Sequence, residues 1–220
     1  MNEMISKLLM LLPNATVQTI YMVVVSSFFA VVLGLPIGVL LVITQEGHIG
    51  EKRSIHKCLN TIINITRSIP FLILMIALFP LSRLIVGTTI GTTATIVPLS
   101  IAAAPFAARM IESSLIEIDP GVIEAAQSMG ATPKQIIFKV LLPESLPSLI
   151  LGITTTIINL IGYSAMAGAI GGGGLGDLAI RYGYYRYEMD IMIATIIILV
   201  LMVQIVQGIG NSLAKYLTKK

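Results

Sequence analysis

The stretch DPGVIEAAQSMGATPKQIIFKVLLP, residues 119–143, is a polar segment with its own helix signals, and it lies between two long apolar segments. Asp119 is a favourable N-cap residue, and Pro120 suits the first position of a helix because no N–H is needed there. Gly130 suits the left-handed position that follows the last turn of a helix. The sequence therefore predicts a short helix that runs from Pro120 to Met129.

A second short helix is predicted directly after the first. Thr132 and Gln135 have the spacing of a capping box, and Pro133 stands at the first helical position. Pro143 is expected to end this helix close to the next apolar segment. The polar segment 112–145 is therefore predicted to be folded rather than a flexible linker.

The regions around this segment are apolar enough to cross a membrane. Of the 220 residues, 55% are hydrophobic and 11% are charged, whereas soluble domains have about 25% charged residues. Windows of about 18 or more apolar residues predict membrane helices. We predict an all-α, polytopic membrane protein with five transmembrane helices. The spans cover about residues 17–43, 58–81, 93–111, 146–168 and 191–209.

Glycines and prolines within the spans predict local departures from straight helices. Gly34 and Gly38 form a small-x3-small pair, which fits close helix packing and fits chance occurrence equally well. The third span is predicted to be broken by Pro98 and Pro105. Pro70 lies within the second span.

Five spans place the two termini on opposite sides of the membrane. The side that holds segments 44–57 and 112–145 and the C-terminus has nine Lys and Arg residues, against four on the other side. Positive residues accumulate in the cytoplasm, so the N-terminus is predicted outside and the C-terminus inside. The predicted divisions are an N-terminal extracytoplasmic segment (1–15), a membrane domain (16–210), an outer loop rich in glycine and tyrosine (169–190) and a basic cytoplasmic tail (211–220).

Composition argues against several classes of function. A net charge of +3, without a basic patch interleaved with aromatic residues, does not indicate a nucleic-acid partner. Cys58 is the only cysteine, so no internal disulfide and no cysteine-based metal site forms within the chain. His48 and His56 lie in a short charged segment where solvated histidines are expected, so no metal site is predicted.

Motifs for catalysis are also missing from the sequence. The glycine run Gly171–Gly174 lacks the Gly-Lys-Ser/Thr ending of a phosphate-binding loop, so ATP-dependent work requires a separate subunit. No carboxylate is predicted to be buried in a span, which argues against a carrier driven by protons or sodium. No Ser/His/Asp or paired-carboxylate set indicates an enzyme.

The first short helix has an apolar stripe. Val122, Ala125, Ala126 and Met129 recur at helical spacing and are predicted to share one face, with the polar residues turned away from it. Two adjacent alanines permit the close approach of another protein surface. A helix that packs on its own membrane domain is the alternative interpretation.

The order of residues in this segment resembles the cytoplasmic signature loop of ABC importer permeases: Glu124-Ala125-Ala126, three residues, Gly130, nine residues, Val140, one residue, Leu142-Pro143. The usual pattern has Ile where Val140 stands. The resemblance implies a coupling helix that docks on a separate ATPase subunit, which binds the ATP, so this chain needs no cofactor. The implied coupling positions are Glu124, Ala125, Ala126 and Gly130.

Further motifs look like the methionine importer permeases of this family, over about residues 15–210: Arg67-Ser68-Ile69-Pro70, Val86-Gly87-Thr88, Ala104-Pro105-Phe106, Gly162-Tyr163-Ser164-Ala165-Met166 and Gly173-Gly174-Leu175-Gly176. The resemblance implies import of L-methionine, with D-methionine as a second candidate, by alternating access in the bacterial inner membrane. It also implies a homodimer over two copies of an ABC ATPase and an extracytoplasmic methionine-binding lipoprotein. The same machine importing another small amino acid stays open, and an ion-coupled carrier is a more distant alternative.

Four residues within the spans are candidates for lining the translocation pathway. Arg67 is the clear intramembrane charge, and it either faces the pathway or snorkels to the cytosolic interface. Asn159, Tyr163 and Met166 share one face of the fourth span, because Tyr163 follows Asn159 by four residues and Met166 by seven. This stripe forms either a narrow gate or ordinary helix packing, in which methionine is common.

Overall fold

The chain folds as a bundle of long helices joined by short helical connections. Its structure, a computed structural model, describes residues 2–218, with side chains from residue 6 onward. No β-strand occurs among residues 2–218, which confirms the predicted all-α class. The helices are α1 (Asn2–Thr44), α2 (Arg53–Ser68), α3 (Phe71–Ala77), α4 (Phe79–Val86), α5 (Thr92–Ile116), α6 (Pro120–Ser128), α7 (Pro133–Ile136), α8 (Leu142–Glu144), α9 (Leu146–Gly168), α10 (Gly174–Leu178) and α11 (Met189–Thr218).

Four helices of the described chain are long and apolar enough to cross a membrane: the segment Ser6–Thr44 of α1, and α5, α9 and α11. A fifth span results if α2 and α3, which meet at a bend of 102°, are counted together. The predicted polytopic membrane protein is thereby confirmed, and α9 has the predicted bounds.

The second span, predicted over residues 58–81 with Pro70 inside it, is divided by a sharp bend. α2 ends at Ser68, Ile69 is extended (φ −80°, ψ 125°), and α3 begins at Phe71. Proline disfavours the helical conformation in the residue before it and has no N–H for the helix ladder, so Pro70 separates the two helices. The break turns the chain where α3 packs against α5 and α9.

Prolines in the other spans do not interrupt their helices. α1 continues through Pro13 and Pro36, so the described part of the predicted segment 1–15 belongs to the helix of the first span. Pro98 and Pro105 lie inside α5, and the predicted breaks there are wrong. Membrane helices tolerate proline where neighbouring helices and small local adjustments satisfy the backbone.

The C-terminal part of the chain is more helical than predicted. Residues 169–190, expected as a loop, contain α10 and a π-helical segment, Ala179–Tyr184. The predicted tail 211–220 continues α11 as far as Thr218. Lys219–Lys220, which belong to the predicted cytoplasmic cations, lie outside the described residues.

The crossing of α1 and α5 depends on Gly34 and Gly38. A Cβ atom added to Gly34 would lie 2.8 Å from the Cβ atom of Ala107, and one added to Gly38 would lie 2.7 Å from the carbonyl oxygen of Ala108. Small residues allow membrane helices to approach this closely. Of the two interpretations of the small-x3-small pair, close packing is therefore correct.

A largely buried ion pair within α5 is joined to α2 by hydrogen bonds. Glu112 is only 6% exposed, and it accepts a hydrogen bond from Arg109 at 2.6 Å. Arg109 also donates to the side-chain oxygens of Asn60 and Asn64 on α2, at 2.6 and 3.0 Å. The prediction that no span contains a buried carboxylate is therefore wrong. Because Arg109 compensates the charge of Glu112 within the chain, this carboxylate serves packing between helices.

We expect Gly38→Val to destabilise the bundle, because its side chain would overlap the backbone of α5. Overpacking of this kind costs about 1–3 kcal/mol, so the thermal midpoint of the detergent-solubilised protein should fall in a size-exclusion assay. Gly208→Val is the matched control, since nothing lies within 4 Å of a Cβ atom added at Gly208 of α11. Equal losses in the two variants would contradict the proposed helix crossing.

Candidate functional site

The first predicted short helix is present as α6, and both of its ends are capped as predicted. The Asp119 side chain accepts a hydrogen bond of 2.8 Å from a backbone N–H of the first turn. Gly130 has φ +78°, its N–H donates to the Gln127 carbonyl at 2.9 Å, and the Ala131 N–H donates to the Ala126 carbonyl at 3.1 Å. These two bonds form a Schellman motif, which favours glycine at the left-handed position.

The second short helix begins as predicted but ends elsewhere. The Thr132 hydroxyl accepts a hydrogen bond from the Gln135 N–H, and the Gln135 side chain accepts one from the Thr132 N–H at 2.8 Å. The prediction that Pro143 ends this helix is wrong, because the chain continues through a π-helical segment, Ile137–Leu141, and α8 to α9. Pro143 stands in the first turn of α8, where proline is tolerated because no N–H is needed.

The sequence predicted that the apolar residues of α6 share one face, and the structure shows that they do not. Ala126 is buried together with Ile123 in a core cluster that α5 and α7 also form. Val122 is 41% exposed, Met129 is 82% exposed, and Ala125 between them is exposed as well. α6 therefore packs on its own domain through one face, and it presents Val122, Ala125 and Met129 outward on a second face, here named the exposed α6 face.

A cavity of about 320 Å³ lies between α6 and the connection that follows α1. Glu124 lines it from α6, and His48 lines it from the connection. The Nδ1 atom of His48 is buried and has no hydrogen-bond partner among the described residues. Burial lowers the pKa of the His48 imidazole, which favours its neutral form. His48 was predicted to be solvated, so the structure corrects that expectation.

No metal centre accompanies this cavity. Among residues 2–218, no group of three or more His, Cys, Asp or Glu side chains is placed to hold a metal ion. The connection after α1 instead forms ion pairs at its surface, in which Arg53 contacts Glu46 and Glu51. The charges of this segment therefore organise the connection itself.

The break between α2 and α3 opens onto a second cavity, of about 220 Å³, here named the membrane cavity. Three of the four predicted pathway residues line it: Arg67 near the end of α2, and Asn159 and Tyr163 on α9. Met166 lies three residues beyond Tyr163, is 49% exposed, and is not among the lining residues. The remaining lining residues are Thr66, Ile69, Phe71, Leu74, Ala102 and Phe106.

Aromatic rings form much of the wall of the membrane cavity. The rings of Phe71 and Tyr163 are stacked, with centroids 4.3 Å apart and planes 3° apart. The Arg67 guanidinium lies 5.8 Å from the centroid of the Phe106 ring, which is within the range of a cation–π contact. Sequence reasoning missed Phe71 and Phe106. Pro70 is the signal for Phe71, because a broken helix at membrane depth is expected to line a cavity.

A family described as "Binding-protein-dependent transport system inner membrane component" matches residues 30–220. The chain belongs to this family. It is therefore a multi-pass membrane component of a transport system, in agreement with the long apolar helices.

Relatives within the family are similar over most of the chain. The probable D-methionine transport system permease protein MetI of Vibrio cholerae serotype O1 is 54% identical over 205 residues, which cover 93% of this chain and 91% of the relative. The D-methionine transport system permease protein MetI of Escherichia coli K12 is 52% identical over 158 residues, which cover 72% of this chain and 73% of the relative.

Solved structures show the same fold. A chain of the MetNI methionine ABC transporter, in an inward-facing conformation, matches with a TM-score of 0.94 and 47% identity over 96% of this chain and 98% of that chain. A chain of an amino acid ABC transporter with histidines matches with a TM-score of 0.78 and 20% identity over 96% of each chain. The second likeness concerns the fold alone.

Proposed function

We propose that this chain is the transmembrane permease subunit of an ATP-driven methionine import system. The observation that carries this proposal is the high identity, over nearly the whole chain, with relatives named for D-methionine transport. The chain contributes the route through the membrane, whereas ATP is bound and hydrolysed by a separate subunit. The permease itself is therefore not an enzyme and holds no cofactor.

The assembly that fits this role contains two copies of the permease and two copies of an ABC ATPase. The MetNI structures support an ATPase partner, because they are of a methionine ABC transporter that contains a closely similar chain. The family description names binding-protein dependence, which supports an extracytoplasmic methionine-binding lipoprotein as the third component. The assembly is proposed to lie in the lipid of a bacterial inner membrane.

The exposed α6 face is the proposed docking surface for the ATPase. Its apolar residues have no cover within the chain, although they lie outside the long apolar helices. Ala125 at its centre allows a close approach, and Glu124 beside it offers a charged hydrogen-bond acceptor. Gly130 sets the turn that follows, and Ala126 fastens the helix to its own domain.

Substrate is proposed to cross the bundle by alternating access, through the membrane cavity. Arg67, Asn159 and Tyr163 line that cavity and form the polar part of the pathway. Met166 lies on the same helix, outside the cavity and partly exposed. In this proposal it faces the second permease copy, where two methionines would narrow the pathway as a gate.

The identity of the substrate has one alternative, an importer of the same architecture for another small amino acid. The distant structural match to an amino acid ABC transporter with histidines supports keeping it, because one fold serves different amino acids there. An ion-coupled carrier is less favoured. Glu112, the buried carboxylate of the spans, is already paired with Arg109.

The proposed function is tested by uptake into proteoliposomes that contain permease, ATPase and binding protein. Radiolabelled L-methionine should accumulate only when ATP is supplied to the ATPase, and unlabelled L-methionine should compete. Competition by D-methionine measures the stereochemical preference. Uptake that is blocked by another small amino acid, but not by either form of methionine, would replace the proposed substrate. Accumulation of methionine without ATP would contradict the proposal that the chain belongs to an ATP-driven importer.

We expect Ala125→Glu to abolish binding of the ATPase, because it inserts a charge into a close contact. Gly130→Val should do the same, since a β-branched residue is strained at φ +78°. Gly130→Asn is the matched control, because asparagine tolerates left-handed backbone.

Glu124→Gln should be milder, with the loss of a charge-assisted hydrogen bond of about 1.5–3 kcal/mol. Pull-down of the ATPase by solubilised permease measures all four, and normal binding by the first two variants would refute the docking surface.

The proposed orientation places the N-terminus outside and the C-terminus and α6 in the cytosol. The excess of Lys and Arg on that side supports it. In a Cys58→Ser background, Lys134→Cys on α7 should resist a membrane-impermeant thiol reagent applied to intact cells. Tyr185→Cys, at a position 70% exposed on the opposite side, should react. The reverse labelling pattern would invert the orientation.

We expect Met166→Ala to widen the proposed gate, because it removes a long side chain from each of two copies. Leak of methionine without ATP, or hydrolysis without uptake, should rise in proteoliposomes. Met189→Ala is the matched control, since Met189 is also largely exposed but lies at the start of α11. Unchanged leak and coupling in Met166→Ala would assign this residue to helix packing.

A further inference from the structure

Arg109 on α5 binds three side-chain oxygens, one on its own helix and two on α2. One terminal nitrogen of its guanidinium donates to Glu112 at 2.6 Å, and the other donates to Asn60 at 2.6 Å and to Asn64 at 3.0 Å. Asn60 and Asn64 are four residues apart, so both amides lie on the same face of α2. A planar guanidinium with several N–H donors can hold acceptors on two helices at once. The contacts of Arg109 with Asn60 and Asn64 are here named the α2–α5 bridge.

α2 has few other attachments to the bundle. It packs mainly against α1 and α5, and Ile63 is its only buried residue. Near its start, the His56 ring contacts the Leu41 carbonyl of α1 at 3.0 Å. Near its end, the Arg67 guanidinium lies 5.8 Å from the centroid of the Phe106 ring on α5, a weaker contact than a charge-assisted hydrogen bond. The α2–α5 bridge is therefore the strongest polar contact between these two helices in the described chain.

The charge of Arg109 is compensated without help from α2. The side chain of Glu112 is 7% exposed and that of Arg109 is 25% exposed, and a charge in such a place is stable only when it is paired. This pairing lies within α5, whereas the amides of α2 are neutral. Compensation of a buried charge therefore does not explain the contacts with α2. What the two amides add is a directional connection from one helix to the other.

The α2–α5 bridge lies between α6 and the membrane cavity. Ile111 and Leu115 of α5 share a core cluster with Ile123 of α6, and Arg109 lies about two turns before the end of α5. On the other side of the bridge, α2 ends at the bend, and Arg67 lines the membrane cavity. A movement of α6 that shifts α5 would reach the bend through the bridge.

We propose that Arg109 is a positioning residue for coupling, which holds α2 to α5 so that movement of the docked α6 displaces the bend between α2 and α3. This inference rests on the proposed function and deepens it, since it names the contact through which the ATPase would move the wall of the proposed pathway. Glu112 in turn orients Arg109. Loss of the bridge should therefore uncouple ATP hydrolysis from uptake, and it should leave the assembly of the subunits intact.

The movement of α2 is measured with a spin label on the native Cys58. Cys58 is exposed, and it stands two residues before Asn60, so it lies on the opposite side of α2. The complex of two permeases with two ATPases that lack reactive cysteines is placed in lipid nanodiscs. The distance between the two labels is compared without nucleotide and after trapping with ATP and vanadate. Trapping should change this distance in the parent, and the Asn60→Ala/Asn64→Ala double variant should lose most of the change.

Coupling is measured as methionine imported per ATP hydrolysed, in proteoliposomes that also contain binding protein. We expect a fall of about tenfold in the double variant, because hydrogen bonds to a charged group are lost. Arg109→Lys should show a similar fall, since an ammonium group keeps the pair with Glu112 but does not span the same three acceptors. Asn211→Ala is the matched control, because Asn211 on α11 is exposed and its hydrogen bond is to Gln207 of the same helix. It should couple like the parent.

Pull-down of the ATPase distinguishes uncoupling from misfolding. Both bridge variants should bind the ATPase normally, because the bridge lies away from the exposed α6 face. A merely structural role of Arg109 would lower the yield of the complex, but it would leave the coupling ratio and the distance change of the assembled complex unaltered. Loss of ATPase binding in both variants would refute the inference, since the bridge would then serve assembly.

Other outcomes would also overturn the inference. These are an unchanged coupling ratio in both variants, a full distance change in the double variant, or a parent in which trapping leaves the distance unchanged. The proposed function has separate criteria in the same proteoliposomes. Uptake by the parent without ATP, or of another amino acid in place of methionine, would refute that function. Uptake of methionine that depends on ATP and is equally coupled in all variants would refute the role of Arg109 alone.

Discussion

Water is absent from the hydrocarbon of a membrane, so each backbone N–H and C=O there must find its partner within the protein. This constraint accounts for the long, unbroken helices α1, α5, α9 and α11. Among residues 2–218, one candidate span departs sharply from a continuous helix, at the bend of Ile69 and Pro70 between α2 and α3. Irregular backbone at membrane depth is tolerated where it lines a cavity, and this bend does so. The place of the membrane cavity therefore follows from the place of one proline.

Close helix packing then fixes the shape of the bundle around that bend. Gly34 and Gly38 bring α1 against α5, while Arg109 joins Glu112 of its own helix to α2. α5 also lines the membrane cavity, and only three residues separate its end from the start of α6. A short connection therefore joins α6 to a continuous helix that borders the cavity. If α6 is the docking surface, as proposed, α5 provides a short mechanical connection from the ATPase to the proposed substrate pathway.

The two faces of α6 have different roles in the proposed coupling. Ile123 and Ala126 anchor the helix in the core that α5 and α7 share, so the helix moves with the bundle. Val122, Ala125 and Met129 remain exposed and form the proposed docking surface. The capped ends and the left-handed Gly130 keep this short helix formed, although nine residues are too few for a stable isolated helix.

The sequence by itself determined the all-α membrane class, the bounds of α9, the caps of α6 and α7, and the family resemblance, because these depend on apolar length and on local backbone chemistry. It also selected Arg67, Asn159 and Tyr163, since polar groups in apolar helices are rare. Only the tertiary structure decided that these three meet in one cavity, that Pro70 breaks a span while the prolines of α1 and α5 do not, and which residues of α6 face outward. Those outcomes depend on the neighbours that each helix packs against. The periodicity of one sequence does not reveal those neighbours.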